Sequence, residues 1–182
     1  MDISSKPLSA EDLIAARSLL RDAPYACLAM TDREGPYVLP LNFVFVEDAA
    51  PPEASVVPGP SATARGADAG AGRLRGAIYF HTGQGRKAAA LATDPRVCLS
   101  VLAGAAFIQG DSPCADAFSY RSLLVWGRAC PLEDPGARRA ALRAIVTKYD
   151  PDSTAMPFDE DVFEQTLLYE VIIDAAGYKQ KP

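Results

Sequence analysis

Gly76-Ala77-Ile78-Tyr79-Phe80-His81-Thr82-Gly83-Gln84-Gly85-Arg86-Lys87 is the stretch that decides how the rest of the chain is read. Gly76 to Phe80 has strand character, His81 to Gly85 supplies a glycine-bearing turn, and Arg86 to Thr93 is Ala-rich with good helix formers. Asp94-Pro95 stops that helix. A strand ending at Phe80 and a helix opening with Arg86-Lys87 bring unsatisfied backbone N–H groups and two cations to one spot, which is an anion site. Gly83 and Gly85 permit close approach because no Cβ stands in the way. The spacing by itself leaves open an ordinary strand-turn-helix joint with surface cations. It contains neither a Walker A loop nor a Gly-x-Gly-x-x-Gly fingerprint, which argues against a nucleotide triphosphatase or a Rossmann site.

Upstream, Ser9-Ala10-Glu11-Asp12 offers an N-cap and first-turn acids before Leu13, Ile14, Ala16, Leu19 and Leu20 at helical spacing. This predicts an opening helix that ends near Asp22-Ala23-Pro24. Tyr25 to Met30, the turn Asp32-Arg33-Glu34-Gly35, and Tyr37 to Val46 read as a β-hairpin. From 47 to 75 the chain is rich in Pro, Ala and Gly and nearly devoid of large apolar side chains, so an exposed, mobile insertion is expected inside one domain spanning 1–182. Downstream, Val97 to Val101, Ser119 to Ala129 and Leu167 to Ile173 read as strands, and Pro135 to Tyr149 as an amphipathic helix with Asp134 near its start. Asp159-Glu160-Asp161 reads as the charged first turn of a helix, and no metal site is expected. Without regular strand-helix alternation, a mainly β fold is favoured: an antiparallel barrel with helical extras.

The chain has 182 residues, 49% of them hydrophobic, enough for a full core. A net charge of -5 repels phosphate polymers and anionic membranes, so neither nucleic acid nor a membrane is expected as a partner. The longest apolar runs are too short to span a bilayer, and Met1 to Lys6 lacks a signal peptide's basic start and apolar middle, so a cytoplasmic protein is expected. Cys27, Cys98, Cys114 and Cys130 are scattered without a Cys-x-x-Cys pair and read as reduced thiols.

Four stretches taken in order resemble the pyridoxamine 5′-phosphate oxidase-like FMN-binding split barrels, and within them the nitroimidazole-resistance subgroup. They are Val38 to Phe45, Ile78 to Lys87 with Leu91, Asp94 to Cys98, and Tyr120 to Ala129. The resemblance implies a six-stranded antiparallel split barrel and a homodimer with FMN bound in grooves at the subunit interface. It implies that Arg86 and Lys87 hold the FMN phosphate, with Gly85 allowing close approach. Phe80 and His81 would line the ribityl or ring edge, the backbone of Leu39, Pro40, Leu41 and Asn42 would run along the isoalloxazine, and Ser122 would contact the phosphate or ribityl side. The basic C-terminal segment that recognises pyridoxal phosphate in true pyridoxamine-phosphate oxidases is not apparent. The tail Gly177 to Pro182 has a partial likeness to the family's closing Gly-Lys.

His81, the chain's single histidine, is the candidate for catalysis, although a flavin contact is the favoured role because hydride chemistry belongs to the cofactor. Ser122 has no visible histidine-acid partner, which argues against a serine hydrolase. Trp126 is assigned to the core or a dimer interface. The function expected is an FMN-dependent oxidoreductase that takes electrons from a small donor and passes them to a small organic acceptor. The alternatives are a non-catalytic flavin- or haem-binding module and a ligand-free structural barrel.

Overall fold

In a computed structural model of the protein, residues 7–47 and 72–181 are described. They form one antiparallel sheet of β1 (Ala26–Asp32), β2 (Gly35–Leu41), β3 (Phe43–Val46), β4 (Ala77–Thr82), β5 (Arg96–Ile108), β6 (Ala117–Pro131) and β7 (Leu167–Lys181). The strand order is β2-β1-β5-β6-β7-β4-β3. β2 and β3 stand at opposite ends of this order, yet only Asn42 separates them in the chain. Two peptide links hold Leu41 and Phe43 within about 7.6 Å, since consecutive Cα atoms are about 3.8 Å apart. A flat sheet of this order would hold its outer strands about 29 Å apart. The sheet is therefore rolled until its ends meet, giving a barrel split at the β2–β3 seam. The Tyr37–Val46 run read from sequence as one strand is broken at Asn42, because β2 pairs with β1 while β3 pairs with β4. Counted as that single run, β2 and β3 make the expected six-stranded split barrel.

Alternate strand positions point inward, as a two-residue side-chain period requires. Leu28, Phe43, Ile78, Phe80, Leu99, Val101, Leu123, Val125 and Val171 are all buried, and the Phe80 and Tyr169 rings stack with centroids 5.3 Å apart. Helix α1 (Ala10–Asp22) starts where Ser9 Oγ accepts the Asp12 N–H at 3.0 Å, and it sends Ala16, Leu19 and Leu20 into the same core. A second layer lies outside the barrel. Helix α3 (Pro135–Tyr149), capped by Asp134, and α4 (Glu160–Gln165), capped by Asp159, pack Ala141, Ile145 and Phe163 against Val44 and Leu168.

Among the described residues, edge strand β3 has β4 on one side only, and α3 supplies partners on the other. The Tyr149 hydroxyl donates to Phe43 O and accepts from Phe43 N–H, each at 3.0 Å. Lys148 Nζ donates to Leu20 O at 3.2 Å and lies 3.8 Å from the Phe43 ring centroid. This desolvation pulls its ammonium down to about 8.

Several strands run past their expected ends. β4 continues to Thr82, β5 to Ile108 and β7 to Lys181, because each finds a pairing partner where the apolar alternation has already faded. Beyond Ala103 the β5–β6 pair becomes a two-stranded ribbon, with Ala106 to Ile108 opposite Ala117 to Ser119. Phe107 and Phe118 meet edge to face on it at 5.5 Å, 57% and 56% exposed. Trp126 is half-buried on the outer face, since Leu123, Val125, Gly127 and Ala129 take the inward positions; the core assignment for Trp126 is therefore corrected. Most of the expected insertion, 48–71, lies outside the described residues. Its far end is less exposed than expected: Leu74 is buried in the core, and Leu8 N donates to Gly72 O at 2.9 Å.

All four cysteines are free thiols, Cys114 exposed and the others half-buried. Burial pushes the Cys98 and Cys130 thiols up. Among the described residues, no helix is long and apolar enough to cross a membrane.

Two expected outcomes follow from this packing. Beside the bulge where Asp174 of β7 falls between the Trp126–Ala175 and Gly127–Ile173 pairs, a Cβ on Gly127 would run into Ile172 O and the Val171 side chain, so Gly127→Ala should destabilise the fold by about 1–3 kcal/mol. Urea unfolding midpoints for the two proteins check this, and equal midpoints would contradict it. The second concerns Lys148, whose pKa is lower in the folded protein than its ordinary value of 10.5. Its burial penalty applies in full below pH 8 and is relieved as pH rises toward 10.5. Between those limits wild-type stability should gain on that of Lys148→Met, measured as thermal midpoints in a pH series. Parallel curves would show that Lys148 is not desolvated.

Candidate functional site

Helix α2 (Arg86–Thr93) opens at a glycine because Gly85 adopts a φ of +152°, a region other residues rarely enter. A Cβ at Gly83 or Gly85 would meet nothing within 4 Å, so the turn faces open space. His81 and Thr82 remain in the β4 ladder, opposite Leu168 and Leu167 of β7. The next residues beyond the Phe43–Phe80 pair are Asn42 and His81, so the seam of the barrel leads directly into this turn.

The two cations of the turn have different surroundings. Lys87 is half-buried; its Nζ donates to His81 O at 3.3 Å and lies 5.6 Å from the Phe80 ring centroid. Burial pushes its ammonium down, and among the described residues no carboxylate pairs with it. Arg86 is held by β1 and the turn after it: Nε donates to Asp32 Oδ2 at 2.5 Å and Nη2 to Glu34 Oε2 at 3.0 Å. Its guanidinium carbon lies 4.5 Å from the Tyr37 ring centroid. The Arg86 hydrogen bond holds the Asp32 carboxyl below its usual range, helped by the Glu34 N–H, which donates to Asp32 Oδ1 at 2.8 Å. Partial desolvation, then the charge of Lys87, pushes the His81 imidazole down.

The expected site residues divide into those at the turn and those away from it. His81, Gly85, Arg86 and Lys87 lie together on the turn, with Asn42 exposed at the seam beside them. Pro40 is exposed and Leu39 half-buried, while the Leu41 side chain belongs to the core. Phe80 is fully buried, which leaves only its backbone to offer a ligand. Ser122 pairs with Lys179 near the end of β7, whereas His81 pairs near its start, so one chain does not bring the two together. Asp32, Glu34 and Tyr37 were missed as partners of the turn. Asp32-Arg33-Glu34-Gly35 signals only a hairpin turn in sequence, and nothing local reveals that its carboxylates meet Arg86.

This arrangement can hold an anion beside an exposed imidazole. Among the described residues, no group of three His, Cys, Asp or Glu side chains is placed to bind a metal. A separate cavity of about 720 Å³ between α1, β3 and α3 is lined by Arg21, Val44, Phe45, Arg143 and Lys148 among others. Its cations are engaged by the protein itself: Arg143 donates to the Thr154 and Met156 carbonyls, Lys148 to Leu20 O, and Arg21 pairs with Glu47.

None of the curated proteins matches the chain. Solved structures do. A candidate 5-nitroimidazole antibiotic resistance protein from Bacteroides thetaiotaomicron aligns with a TM-score of 0.67 at 22% identity, over 95% of this chain and 86% of its own. An FAD- and haem-binding protein from Mycobacterium smegmatis gives 0.70 at 22% identity, over 95% and 71%. A flavocytochrome from Azotobacter vinelandii gives 0.68 at 19% identity, over 96% and 68%. At these identities the likeness is one of fold. The sequence itself matches the family profile described as pyridoxamine 5′-phosphate oxidase over residues 14–180. With nearly its whole length matched, the chain belongs to the pyridoxamine 5′-phosphate oxidase family.

Proposed function

We propose that this protein binds FMN as a homodimer and acts as an oxidoreductase, passing electrons from reduced flavin to a small organic acceptor such as a nitroaromatic. The observation that carries the reading is the Gly83–Lys87 turn, which lies within the family match of residues 14–180. The fit of the turn to a phosphate monoester is favourable on two counts. Gly83 and Gly85 leave open space in front of it, and Lys87 is a partly desolvated ammonium with no carboxylate partner among the described residues. Lys87, with the Gly85 backbone, would hold the phosphate, and Arg86 stands beside it on the same turn. The Leu39–Asn42 backbone and His81 would lie along the rest of the flavin. When bound, the flavin supplies the hydride and electron-transfer chemistry, so the chain needs no nucleophile of its own.

The homodimer reading has two supports. Ser122 and the turn are remote within one chain, and a second copy would let both approach one flavin. The outer face of β2, β1, β5 and β6 also carries Val38, Leu102 and half-buried Trp126, with Val38 60% and Leu102 61% exposed. Apolar surface of this kind suits a protein partner.

A second reading, a flavin- or haem-binding module without turnover, draws on the exposed His81 and on the M. smegmatis and A. vinelandii structures, one described as binding FAD and haem and the other as a flavocytochrome. The purified protein should be yellow, release FMN on denaturation in proportion to subunits, and be reduced by NADH or NADPH and reoxidised by a nitroaromatic acceptor. Colourless protein that fails to take up added FMN would sink the flavin reading. Flavin that binds but cannot be cycled with any donor and acceptor would favour the module, and a Soret band on haem addition that is lost in His81→Ala would identify its haem form.

A further inference from the structure

Arg86 and Lys87 are adjacent in sequence but not equivalent in the fold, and we propose that they divide the work. Arg86 is a positioning residue, locked to the β1–β2 turn by Asp32 and Glu34, and Lys87 is the cation that separates phosphorylated from unphosphorylated flavin. The inference rests on the flavin reading above and adds a role for two carboxylates on the hairpin.

Three contacts occupy Arg86: the Asp32 carboxylate at Nε, the Glu34 carboxylate at Nη2, and the Tyr37 ring beneath the guanidinium. Two anions against one cation leave this cluster with a net negative charge, so a phosphate dianion gains little by approaching it. Among the described residues, Lys87 contacts only the His81 carbonyl and the Phe80 ring, and it is partly desolvated. An ammonium taken out of water without a counter-ion gains most from an arriving anion.

The Arg86 contacts have another consequence. They tie the first residue of α2 to a turn 54 residues earlier in the chain and so fix where the neighbouring Lys87 stands. Only a planar guanidinium can serve two carboxylates and stack on a ring at once, so lysine cannot replace it. At position 87 a point charge suffices, and arginine should substitute.

The test compares FMN and riboflavin affinities of wild type, R86A, R86K, K87A, K87R and the double variant D32N/E34Q. Alongside, each protein's melting temperature is read in inorganic phosphate against chloride at equal ionic strength. K87A should weaken FMN about ten- to a hundredfold, the loss of one charged hydrogen bond, while sparing riboflavin and abolishing the phosphate-induced rise in melting temperature. K87R should keep both. R86A, R86K and D32N/E34Q should weaken the two flavins by a common factor, preserving their ratio and the phosphate rise. The proposal is overturned if R86A erases the ratio or the rise, if R86K behaves as wild type, or if D32N/E34Q binds FMN more tightly. K87Q replaces K87A should the latter fail to fold. A wild type that takes up neither flavin defeats the flavin reading, and the phosphate rise then decides alone: present in wild type and R86A but lost in K87A upholds the division, while its absence from wild type overturns it.

Discussion

One residue of chain, Asn42, must join the two ends of a seven-stranded order, and the architecture follows from that restraint. A sheet so tethered closes, and closure creates an interior that alternate residues of every strand can fill. It also leaves β3 with a free side, which α3 occupies through Tyr149, and it gives α1 a core to enter through Leu19 and Leu20. The pairings that complete the roll are distant in sequence, β4 with β7 above all, so the fold depends on contacts that local preference alone does not favour. The glycine turn lies at this seam. Asn42 and His81 follow the last pair of the β3–β4 ladder, and the same tether that closes the barrel sets the backbone beside the glycine turn.

Electrostatics at that turn is a local matter set against an unfavourable whole. A chain with net charge -5 repels anions at long range, and only short-range features can reverse this. At the turn, solvent is partly withheld from Lys87, and a side chain on Gly83 or Gly85 would meet only open space. Arg86 shows that a cation in the right position is not thereby free to bind. Its neighbours determine what its charge does, and here they are acids from another element.

Much of this was legible in the sequence because the signals were local. The Ser9 and Asp134 caps, the Arg86–Thr93 helix, the acidic start of α4 and the glycine turn each depend on residues within a few positions of one another. The break at Asn42 was not legible: nothing in Val38 to Phe45 distinguishes one strand from two that pair on opposite sides of a seam. The far halves of β5 and β7 were missed because their residues face solvent or are small, so apolar alternation stops while hydrogen bonding continues. The family motifs drew attention to the turn and its cations. They were silent on Asp32 and Glu34, whose meeting with Arg86 depends on how β1 is laid against α2, and on the burial that reserves Phe80 for the core.

The β5–β6 ribbon projects past the strands that flank it, and Cys114 lies exposed in the loop at its tip, where Gly110 N donates to Asp116 Oδ1 at 2.9 Å. Burial raises the thiols of Cys98 and Cys130 and suppresses their reactive thiolate, whereas Cys114 stands in water. The chain thus carries its own attachment point for a maleimide dye or spin label. From that position a reporter would register the surroundings of the ribbon tip without any engineered cysteine.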